Sequence, residues 1–355
     1  MKKLKVAVIG VGNISYFHII NYVNNPYTEL VAFCDINPDT LKRRGEEFGV
    51  KQLFTDYNEM FAKVPEIDLV SVCTWNNAHA PASIAALNAG KHVLCEKPMA
   101  MNAKEAEEMQ KAAIRNKRVL QVGFVRRFGN DAAVIRDFKE HGNLGELYYA
   151  RASYVRRNGN PGGWFGDKSR SGGGPLIDLG VHVIDLVRYL MGNPKPVSVY
   201  GAAFHKLGSR QNIKSPRAYN ATVTSKKDVC DVEDFATALI RFEGGATLNV
   251  QAGFSLNLGK DETNIELFGT KGGVKLDPEF KLYTEMNDYL ADVSLAAGTA
   301  FDFDGAFKNE IYAFIDAARG EAPVLASAED GVQMMKILDA IYLSAETGRE
   351  VVIEK

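Results

Sequence analysis

The sequence is poor in the residues that mark a disulfide-stabilised or thiol-dependent protein. Only four of its 355 residues are cysteine, and no two of them form a Cys-x-x-Cys pair. Three of the four end short apolar runs, where cysteine usually acts as a small buried hydrophobic residue with a free thiol. This usage predicts a reducing, cytoplasmic environment and excludes thiol chemistry from the expected function.

Excess charge of one sign and long apolar runs are also missing. The chain has 42 basic and 44 acidic residues and a net charge of −2, so no basic field favours nucleic acid or an anionic membrane. No apolar run approaches the ~20 residues that span a bilayer. The first residues resemble a signal peptide faintly, but Gly10, Gly12 and Asn13 interrupt the apolar stretch. We therefore expect a first buried strand there.

The composition that remains is that of a folded globular protein. Hydrophobic residues make up 46% of the chain and charged residues 24%, with no repeats or low-complexity tracts. At about 150 residues per domain, 355 residues predict two domains. A change of pattern near Gly123 places them at 1–124 and 125–355.

The first domain alternates short apolar runs with helical patterns, which is typical of an α/β parallel sheet with crossover helices. Many strands are apolar at successive positions, as expected where helices cover both faces. Six strands in this rhythm predict a doubly wound Rossmann sheet. The predicted strands are Leu4–Ile9, Leu30–Cys34, Gln52–Phe54, Leu69–Cys73, His92–Cys95 and Val119–Gly123, and the helices include Ile14–Asn24, Pro38–Phe48, Pro81–Ala89 and Ala103–Asn116.

The second domain mixes helices with strands that are separated by turn signals, which predicts an α+β fold with an antiparallel or mixed sheet. Residues 207–231 are polar, and we expect a long loop or an edge strand there. The last helix, about 329–347, is free to pack back toward the first domain. The predicted strands are Leu147–Arg157, Val197–Phe204, Asp234–Phe242, Thr247–Phe254, Thr263–Gly269 and Gly273–Leu276, and the helices are Asp131–His141, Leu176–Met191, Gly305–Arg319 and Glu329–Thr347.

A glycine motif, GVGNIS at residues 10–15, follows the first predicted strand and opens a helical pattern. In a dinucleotide-binding unit, Gly10 permits the tight turn and Gly12 lets the backbone approach a pyrophosphate at the helix N-terminus. Ser15 replaces the usual third glycine or alanine and is small enough for close packing. A plain glycine turn is the alternative.

Asp35 ends the second predicted strand, 23 residues after Gly12. An acid near this offset accepts hydrogen bonds from the ribose hydroxyls of NAD and repels the additional phosphate of NADP. The alternative is a helix N-cap, because Pro38 follows closely. Together with the glycine motif, Asp35 predicts NAD rather than NADP.

A lysine and an aspartate–histidine pair complete the candidate chemistry. Lys97 lies in the sequence CEKP at the end of the fifth predicted strand, where ligands bind in parallel sheets. Asp178 and His182 are four residues apart on a predicted helix, so they share a face. A histidine can move a proton near neutral pH while a carboxylate orients it. A solvated lysine and a structural helix pair are the alternatives, and without an evident third ligand we predict no metal.

These features occur in one order along the chain: the glycine loop, the strand-end acid, EKP, and GGGxxxDxGxHxxD. That set resembles the Gfo/Idh/MocA oxidoreductase family, which includes inositol dehydrogenases and glucose–fructose oxidoreductase, and the resemblance covers nearly the whole chain. It implies a Rossmann domain followed by an α+β domain with a large open, mainly antiparallel sheet. Such sheets often mediate assembly, so we expect a homodimer or homotetramer.

The resemblance also assigns residues. It implies NAD on the first domain, and Lys97, Asp178 and His182 as catalytic residues that face the substrate. Arg127 matches a segment that borders the substrate, with an interdomain salt bridge as its alternative. The implied cofactor-binding residues are Gly10, Gly12, Asn13, Ile14, Asp35, Thr74, Trp75, Asn76, His79, Glu96 and Lys97, and the candidate substrate-binding residues are Arg127, Tyr154, Asn158 and Trp164.

The implied activity is NAD-dependent oxidation of a secondary alcohol on a sugar or cyclic polyol, or the reverse reduction. Two other functions occur among relatives: glycoside hydrolysis with a captive NAD, and dinucleotide sensing without catalysis. A sensor is expected to lack the lysine or the histidine, yet Lys97 and His182 are both present. The sequence does not distinguish an inositol from an aldose.

Overall fold

The computed structural model describes residues 3–210, 212–214, 220–221, 229–277, 279–296 and 298–354. The chain forms two compact units. The first comprises Met1–Phe128 and Phe303–Val332, and the second comprises Gly129–Asp302 and Gln333–Lys355. Much of the segment 207–231, for which we expect a loop or an edge strand, lies outside the described residues.

A parallel six-stranded sheet forms the centre of the first unit. The strands follow the spatial order Gln52–Phe54, Thr28–Cys34, Leu4–Ile9, Leu69–Val72, His92–Glu96 and Leu120–Gly123. All neighbours are parallel, and the chain starts at the central strand Leu4–Ile9, builds outward on one side and then on the other, as in a doubly wound sheet. All four residues of the fourth and of the sixth strand are buried, including the polar Ser71 and Gln121, as expected where both faces of a sheet are covered. The strands are β1 Leu4–Ile9, β2 Thr28–Cys34, β3 Gln52–Phe54, β4 Leu69–Val72, β5 His92–Glu96 and β6 Leu120–Gly123.

Five crossover helices connect these strands, and local capping explains several of their starts. The Asn37 side chain accepts hydrogen bonds from the N–H groups of Asp39 and Thr40, directly before Pro38. The predicted start of one helix at Pro81 is wrong, because the helix begins at Asn76 and contains Pro81 inside it. The helices are α1 Ser15–Asn24, α2 Pro38–Phe48, α3 Tyr57–Lys63, α4 Asn76–Asn88 and α5 Ala103–Asn116.

Among the described residues, a nine-stranded sheet dominates the second unit. The strands are β7 Leu147–Val155, β8 Pro196–Phe204, β9 Phe235–Phe242, β10 Thr247–Gly253, β11 Glu262–Gly269, β12 Gly272–Asp277, β13 Lys281–Met286, β14 Tyr289–Val293 and β15 Val351–Val352. Their order is β14-β13-β12-β11-β7-β10-β9-β8-β15, and all pairs are antiparallel except β7 with β10, which run parallel. The hairpin β13–β14 and the short β15 were not predicted.

Three helices of the second unit come before its second strand: α6 Asn130–Glu140, α7 Lys168–Ser171 and α8 Val181–Met191. The prediction of one continuous α-helix over Leu176–Met191 is wrong in its first turns. A π-helical turn, Leu176–Gly180, precedes α8, so Asp178 lies in the wider turn and His182 in the α-helix. Short π-helical segments of this kind are frequent at functional sites.

The last two helices are α9 Phe303–Ala318 and α10 Ala328–Thr347. Because Ile311, Phe314 and Ile315 of α9 pack in one core cluster with Val6 and Leu69, residues 303–332 belong to the first unit. This division differs from the predicted second domain at 125–355, because residues 125–128 and 303–332 belong to the first unit. Among the described residues, no helix is both long and apolar enough to cross a membrane.

Candidate functional site

The glycine loop after β1 has two glycines with different physical roles. Gly10 adopts φ +82°, and a Cβ there would lie 2.7 Å from the carbonyl carbon of Cys73 and 2.8 Å from the nitrogen of Thr74. Gly10 therefore lets the loop after β1 pass directly against the loop after β4. A Cβ at Gly12 would meet nothing within 4 Å. The space above Gly12 is a cradle that only glycine leaves open, which fits the close approach of a dinucleotide pyrophosphate.

Asp35 follows β2 and lies against this loop. Its Oδ2 accepts a hydrogen bond from the N–H of Val11 at 2.8 Å, and its Oδ1 accepts one from the N–H of Asn37 at 2.8 Å. The N-cap of α2 is Asn37, so the alternative assignment of Asp35 as that cap does not hold. Each carboxylate oxygen has a second lone-pair site, which leaves Asp35 able to accept from ribose hydroxyls.

Arg44 of α2 was missed by the sequence analysis, because nothing in a helical pattern shows what its side chain reaches. It is buried, and its guanidinium donates to the carbonyl oxygens of Val11 (3.3 Å) and Gly12 (3.2 Å). It also pairs with Glu47 at 2.7 Å and lies 5.5 Å from the centre of the Tyr16 ring. Arg44 thus holds the two carbonyls of the glycine loop, which fixes how the adjacent N–H groups point.

His79 connects the loops after β4 and β5. It is buried, with Nδ1 2.7 Å from the carbonyl oxygen of Pro98 and Nε2 3.1 Å from that of Thr74. Burial lowers the pKa of His79, although both carbonyls act in the opposite direction. A neutral imidazole has one N–H, so His79 donates to one of these two carbonyl oxygens and only packs against the other. Asn76 is buried, and Trp75 is half-buried.

Glu96 ends β5 in a buried polar network. Its Oε1 lies 2.9 Å from Nε2 of His18, and its Oε2 accepts from the N–H of Lys97 at 3.1 Å. The network continues from Nδ1 of His18 to the Ser71 hydroxyl at 3.1 Å. Burial alone would raise the pKa of Glu96, but His18 and the charge of Lys97 lower it below its usual range. Glu96 thus holds the turn that carries Lys97.

A second carboxylate, Glu310 of α9, lies close to this network. One nitrogen of His18 and one oxygen each of Glu96 and Glu310 lie within 4.8 Å of one another, and all three residues are buried. His18 lies 78 positions before Glu96 in the sequence and Glu310 lies 214 positions after it, so no local sequence pattern indicates the cluster. The cluster is linked to Lys97 through Glu96, which accepts from the Lys97 N–H.

Lys97 is distinguished by its accessibility. Within residues 93–100, all of which the structure describes, Lys97 is the one residue that is not buried. Its N–H donates to Glu96, and the carbonyl oxygen of the next residue, Pro98, lies 2.7 Å from Nδ1 of His79. A freely solvated surface lysine has no such surroundings. The side chain is placed as a cation at the carboxyl end of β5, where ligands of parallel sheets bind.

Asp178 and His182 show the same pattern in the second unit. Within residues 173–190, all of which the structure describes, they are the only two residues that are not buried. A single accessible stripe on an otherwise buried segment therefore carries a carboxylate and an imidazole. This arrangement suits proton transfer to or from a bound molecule.

Glu233 and Tyr342 support this segment and were not found from the sequence. The buried Glu233 accepts hydrogen bonds from the N–H of Gly174 (2.9 Å), the N–H of Leu176 (3.1 Å) and the hydroxyl of Tyr342 (3.0 Å). Burial raises the pKa of Glu233, and the hydrogen bonds oppose that rise. Burial and the charge of Glu233 raise the pKa of Tyr342 well above its usual value, so it remains a neutral donor.

Of the candidate substrate-binding residues, Asn158 is the most informative. Its amide nitrogen and oxygen are both buried, and neither has a hydrogen-bond partner among the residues that the structure describes. An unsatisfied buried polar group costs about 1–3 kcal/mol, which a bound hydroxyl group would recover. The Tyr154 hydroxyl accepts from Arg156 at 3.2 Å, and Trp164 lies with its ring centre 4.0 Å from that of Phe165.

Arg127 is placed differently from the substrate residues. It is buried in the first unit, where Nη1 donates to the carbonyl oxygen of Leu325 at 2.9 Å and to Oδ2 of Asp330 at 3.0 Å. Arg127 and Asp330 belong to the same unit, so this ion pair lies inside a domain.

Among the glycine-loop residues, Asn13 is exposed and Ile14 packs against the core cluster that contains Val8.

Comparison with known families covers almost the whole chain. Residues 4–124 match an oxidoreductase family described by its NAD-binding Rossmann fold, and residues 140–353 match the C-terminal alpha/beta domain of the same family. The predicted fold class is confirmed by these matches and by the two sheets.

Individual relatives match over their full length. D-glucoside 3-dehydrogenase of Escherichia coli (strain K12) is 34% identical over 98% of this chain and 97% of the relative. Myo-inositol 2-dehydrogenase of Thermotoga maritima is 26% identical over 99% of each chain. Among solved structures, levoglucosan dehydrogenase in complex with NADH superimposes with a TM-score of 0.83 at 26% identity, covering all of both chains.

Proposed function

This chain belongs to the Gfo/Idh/MocA oxidoreductase family, and we propose that it is an NAD-dependent dehydrogenase that oxidises a secondary alcohol of a sugar or cyclic polyol, or catalyses the reverse reduction. Relatives named for a glucoside, an inositol and levoglucosan support this substrate class. The 34% identity to D-glucoside 3-dehydrogenase makes a glucoside the first substrate to test.

The observation that carries the proposal is the accessible pair Asp178 and His182 on an otherwise buried segment. In the proposed reaction, His182 takes the proton of the substrate hydroxyl as general base, and Asp178 orients His182 or a neighbouring hydroxyl. Lys97 hydrogen-bonds the reacting oxygen and stabilises its developing negative charge. NAD, when bound, supplies the acceptor for the hydride.

The cofactor half of the proposal depends on three features of the first unit: the open cradle at Gly12, the tight turn at Gly10 and the carboxylate of Asp35. These fit a dinucleotide with free ribose hydroxyls, because Asp35 is a hydrogen-bond acceptor and a negative charge. A 2′-phosphate at the same place would meet that charge. We therefore propose NAD as the cofactor in preference to NADP.

The substrate half of the proposal rests on Asn158. Its amide offers two donors and one acceptor that have no partner among the described residues, which matches the paired donors and acceptors of vicinal hydroxyl groups. Tyr154 and Trp164 belong to the same part of the chain and remain proposed substrate contacts. We do not extend the proposal to Arg127, because its guanidinium serves the ion pair with Asp330.

A substrate panel tests the proposed function. Purified protein is mixed with NAD or NADP and with methyl glucosides, inositols, free aldoses, sugar acids or levoglucosan, and reduced nicotinamide is followed by absorbance. Reduction of NAD with one polyol class supports the proposal. Release of a glycosidic leaving group without net reduction would show a captive-cofactor hydrolase. Tight NAD binding with neither reaction would show a sensor.

We also propose that the protein forms a homodimer or homotetramer through the nine-stranded sheet. What supports this is a set of exposed apolar side chains on its strands, including Val197, Tyr200 and Leu239 on the neighbouring strands β8 and β9. Apolar patches of this kind usually mark interfaces. A monomer mass by light scattering would contradict the proposal.

Free thiols at all four cysteines support a reducing, cytoplasmic location.

A further inference from the structure

The turn that precedes Asp178 is held from outside its own helix. Gly174 and Leu176 flank Pro175 at the start of the π-helical turn, and the N–H groups of helix starts have no acceptor within the helix. Both N–H groups donate to the carboxylate of Glu233, which lies about 57 residues later in the chain. A buried carboxylate in this place also compensates the positive end of the helix dipole.

Tyr342 completes the arrangement by donating its hydroxyl to Oε1 of Glu233 at 3.0 Å. The carboxylate therefore receives three hydrogen bonds, two from the turn at Gly174 and Leu176 and one from α10. The side chain of Glu233 is almost fully buried, so solvent offers no substitute for a donor that is lost. Glu233 and Tyr342 thus form a rigid support, which we call the Glu233–Tyr342 pair.

The glycines of this turn are explained by the same pair. A Cβ at Gly173 would lie 2.0 Å from the Tyr342 hydroxyl, and a Cβ at Gly174 would lie 2.4 Å from the carbonyl oxygen of Glu233. Both contacts are far below van der Waals distance. Only glycine at these two positions lets the turn approach the pair closely enough for the hydrogen bonds to form.

The pair is linked to Asp178 through one residue. The N–H of Gly174 donates to Glu233, and the carbonyl oxygen of Gly174 accepts from the N–H of Asp178 at 3.1 Å. A shift of Gly174 therefore moves the backbone of Asp178 and, four residues further on, His182. Displacements of about 1 Å at a catalytic group can lower turnover about 100-fold.

We propose that Glu233 and Tyr342 are positioning residues, which hold Gly174 and Leu176 so that Asp178 and His182 are presented in their reactive arrangement. The inference rests on the proposed function of Asp178 and His182. Neither Glu233 nor Tyr342 is proposed to contact the substrate. Their effect is on the turnover number, kcat, while binding of NAD to the first unit is unaffected.

The test compares Glu233→Gln and Tyr342→Phe with the control Glu346→Gln, which neutralises an exposed carboxylate one turn after Tyr342. In Glu233→Gln, an amide NH₂ group faces a backbone N–H that needs an acceptor. We expect hydrogen–deuterium exchange of residues 172–182 to rise about tenfold or more in Glu233→Gln, less in Tyr342→Phe and not at all in Glu346→Gln. Unchanged exchange in the first two variants would overturn the proposal.

Kinetics with methyl β-D-glucopyranoside and NAD separate positioning from general stability. We expect kcat to fall about 10–100-fold in Glu233→Gln and about 3–10-fold in Tyr342→Phe, with KM for NAD and the affinity for NADH unchanged. If Glu233→Gln does not fold, Tyr342→Phe decides, because it keeps the carboxylate and its two backbone donors. A common fall in kcat and NADH affinity would show a structural role only and would contradict the proposal.

His182→Ala, measured in parallel, distinguishes a failure of the positioning role from a failure of the proposed function. If His182→Ala has low kcat while both pair variants keep the native kcat, the positioning role is wrong and the proposed function stands. If His182→Ala turns over normally, the proposed role of His182 as general base is wrong. If the native protein does not oxidise the glucoside, the proposed function fails for this substrate. The exchange measurement then still shows whether the pair holds the turn.

Discussion

The N–H of Val11 donates a 2.8 Å hydrogen bond to Oδ2 of Asp35, so the acid that follows β2 holds the glycine loop that follows β1. Asp35 therefore has a structural role and a proposed recognition role at once. Its Oδ1 is engaged in the same way by the N–H of Asn37. The lone pairs that remain on the carboxylate define where ribose hydroxyls are expected.

Replacing Asp35 by Asn tests the recognition role. The amide removes the negative charge and one acceptor, so NADH affinity should fall about 10–100-fold. The ratio of NADH affinity to NADPH affinity should decrease as well. Titration by NADH and NADPH fluorescence measures both. Asp39→Asn removes an exposed acid from the first turn of α2 and should change neither affinity. Tighter binding of NADPH than NADH by the native protein would refute the account.

Gly10 and Gly12 form a matched pair for separating fold from cofactor binding. Gly10→Ala combines φ +82° with a clash against the backbone of Cys73, so it should destabilise the protein by about 2 kcal/mol or more. Gly12→Ala meets open space and should change stability by less than about 0.5 kcal/mol, while NADH affinity falls roughly tenfold or more. Urea unfolding and NADH titration check the two effects. Equal NADH affinity in Gly12→Ala would mean that no dinucleotide approaches there.

Glu96 predicts a specific dependence of stability on pH. Its folded-state pKa is lowered, so the carboxylate contributes stability above its unfolded pKa, about 4.3, and that contribution is lost as pH falls toward the folded value. Glu96→Gln should therefore cost about 1–3 kcal/mol at pH 7 and less near pH 4. Urea unfolding at several pH values measures the difference.

The control for this prediction is Glu46→Gln, which changes an exposed carboxylate on α2. It should leave both the stability at pH 7 and its pH dependence close to those of the native protein. A Glu96→Gln variant that loses stability on acidification as steeply as the native protein would show that Glu96 does not carry this dependence.

The thiols should react in a fixed order. Burial raises the pKa of Cys34 and of Cys95 to about 12, and that of Cys73 also lies well above its usual value. These cysteines hold almost no thiolate at pH 8, whereas Cys230 is partly exposed. Iodoacetamide followed by peptide mass spectrometry should modify Cys230 first in the folded protein and all four in urea. Modification of Cys34 as fast as Cys230 would be inconsistent with this burial.

Elements with local signals were predicted closely. β1 at Leu4–Ile9 and α2 at Pro38–Phe48 have the predicted bounds. The mainly apolar run of β1 stops at Gly10, and α2 is bounded by Pro38 and Gly49. The start of α4 was predicted wrongly at Pro81, because proline is tolerated in the first turn of a helix and is rare inside one. The hairpin β13–β14 was missed because its residues are largely exposed, so no apolar alternation announces it.

The supports of the candidate site lay beyond sequence reasoning for a different reason. The motifs around Gly12, Lys97 and His182 are local and were found. The partners that hold them are distant in sequence: His18 lies 78 residues from Glu96, and Tyr342 lies 109 residues from Glu233. A buried glutamate or tyrosine has no local pattern that names its partner, so only the folded structure shows these contacts.

The most direct test of the central claim is the turnover number of His182→Ala with the glucoside or polyol that the native protein oxidises. General base catalysis contributes about 10²–10⁴-fold, so kcat should fall by that factor while NADH affinity remains native. His141→Ala, at an exposed histidine directly after α6, should keep the native kcat. Native turnover by His182→Ala would contradict the account, because the accessible imidazole on its buried helix would then have no part in the chemistry.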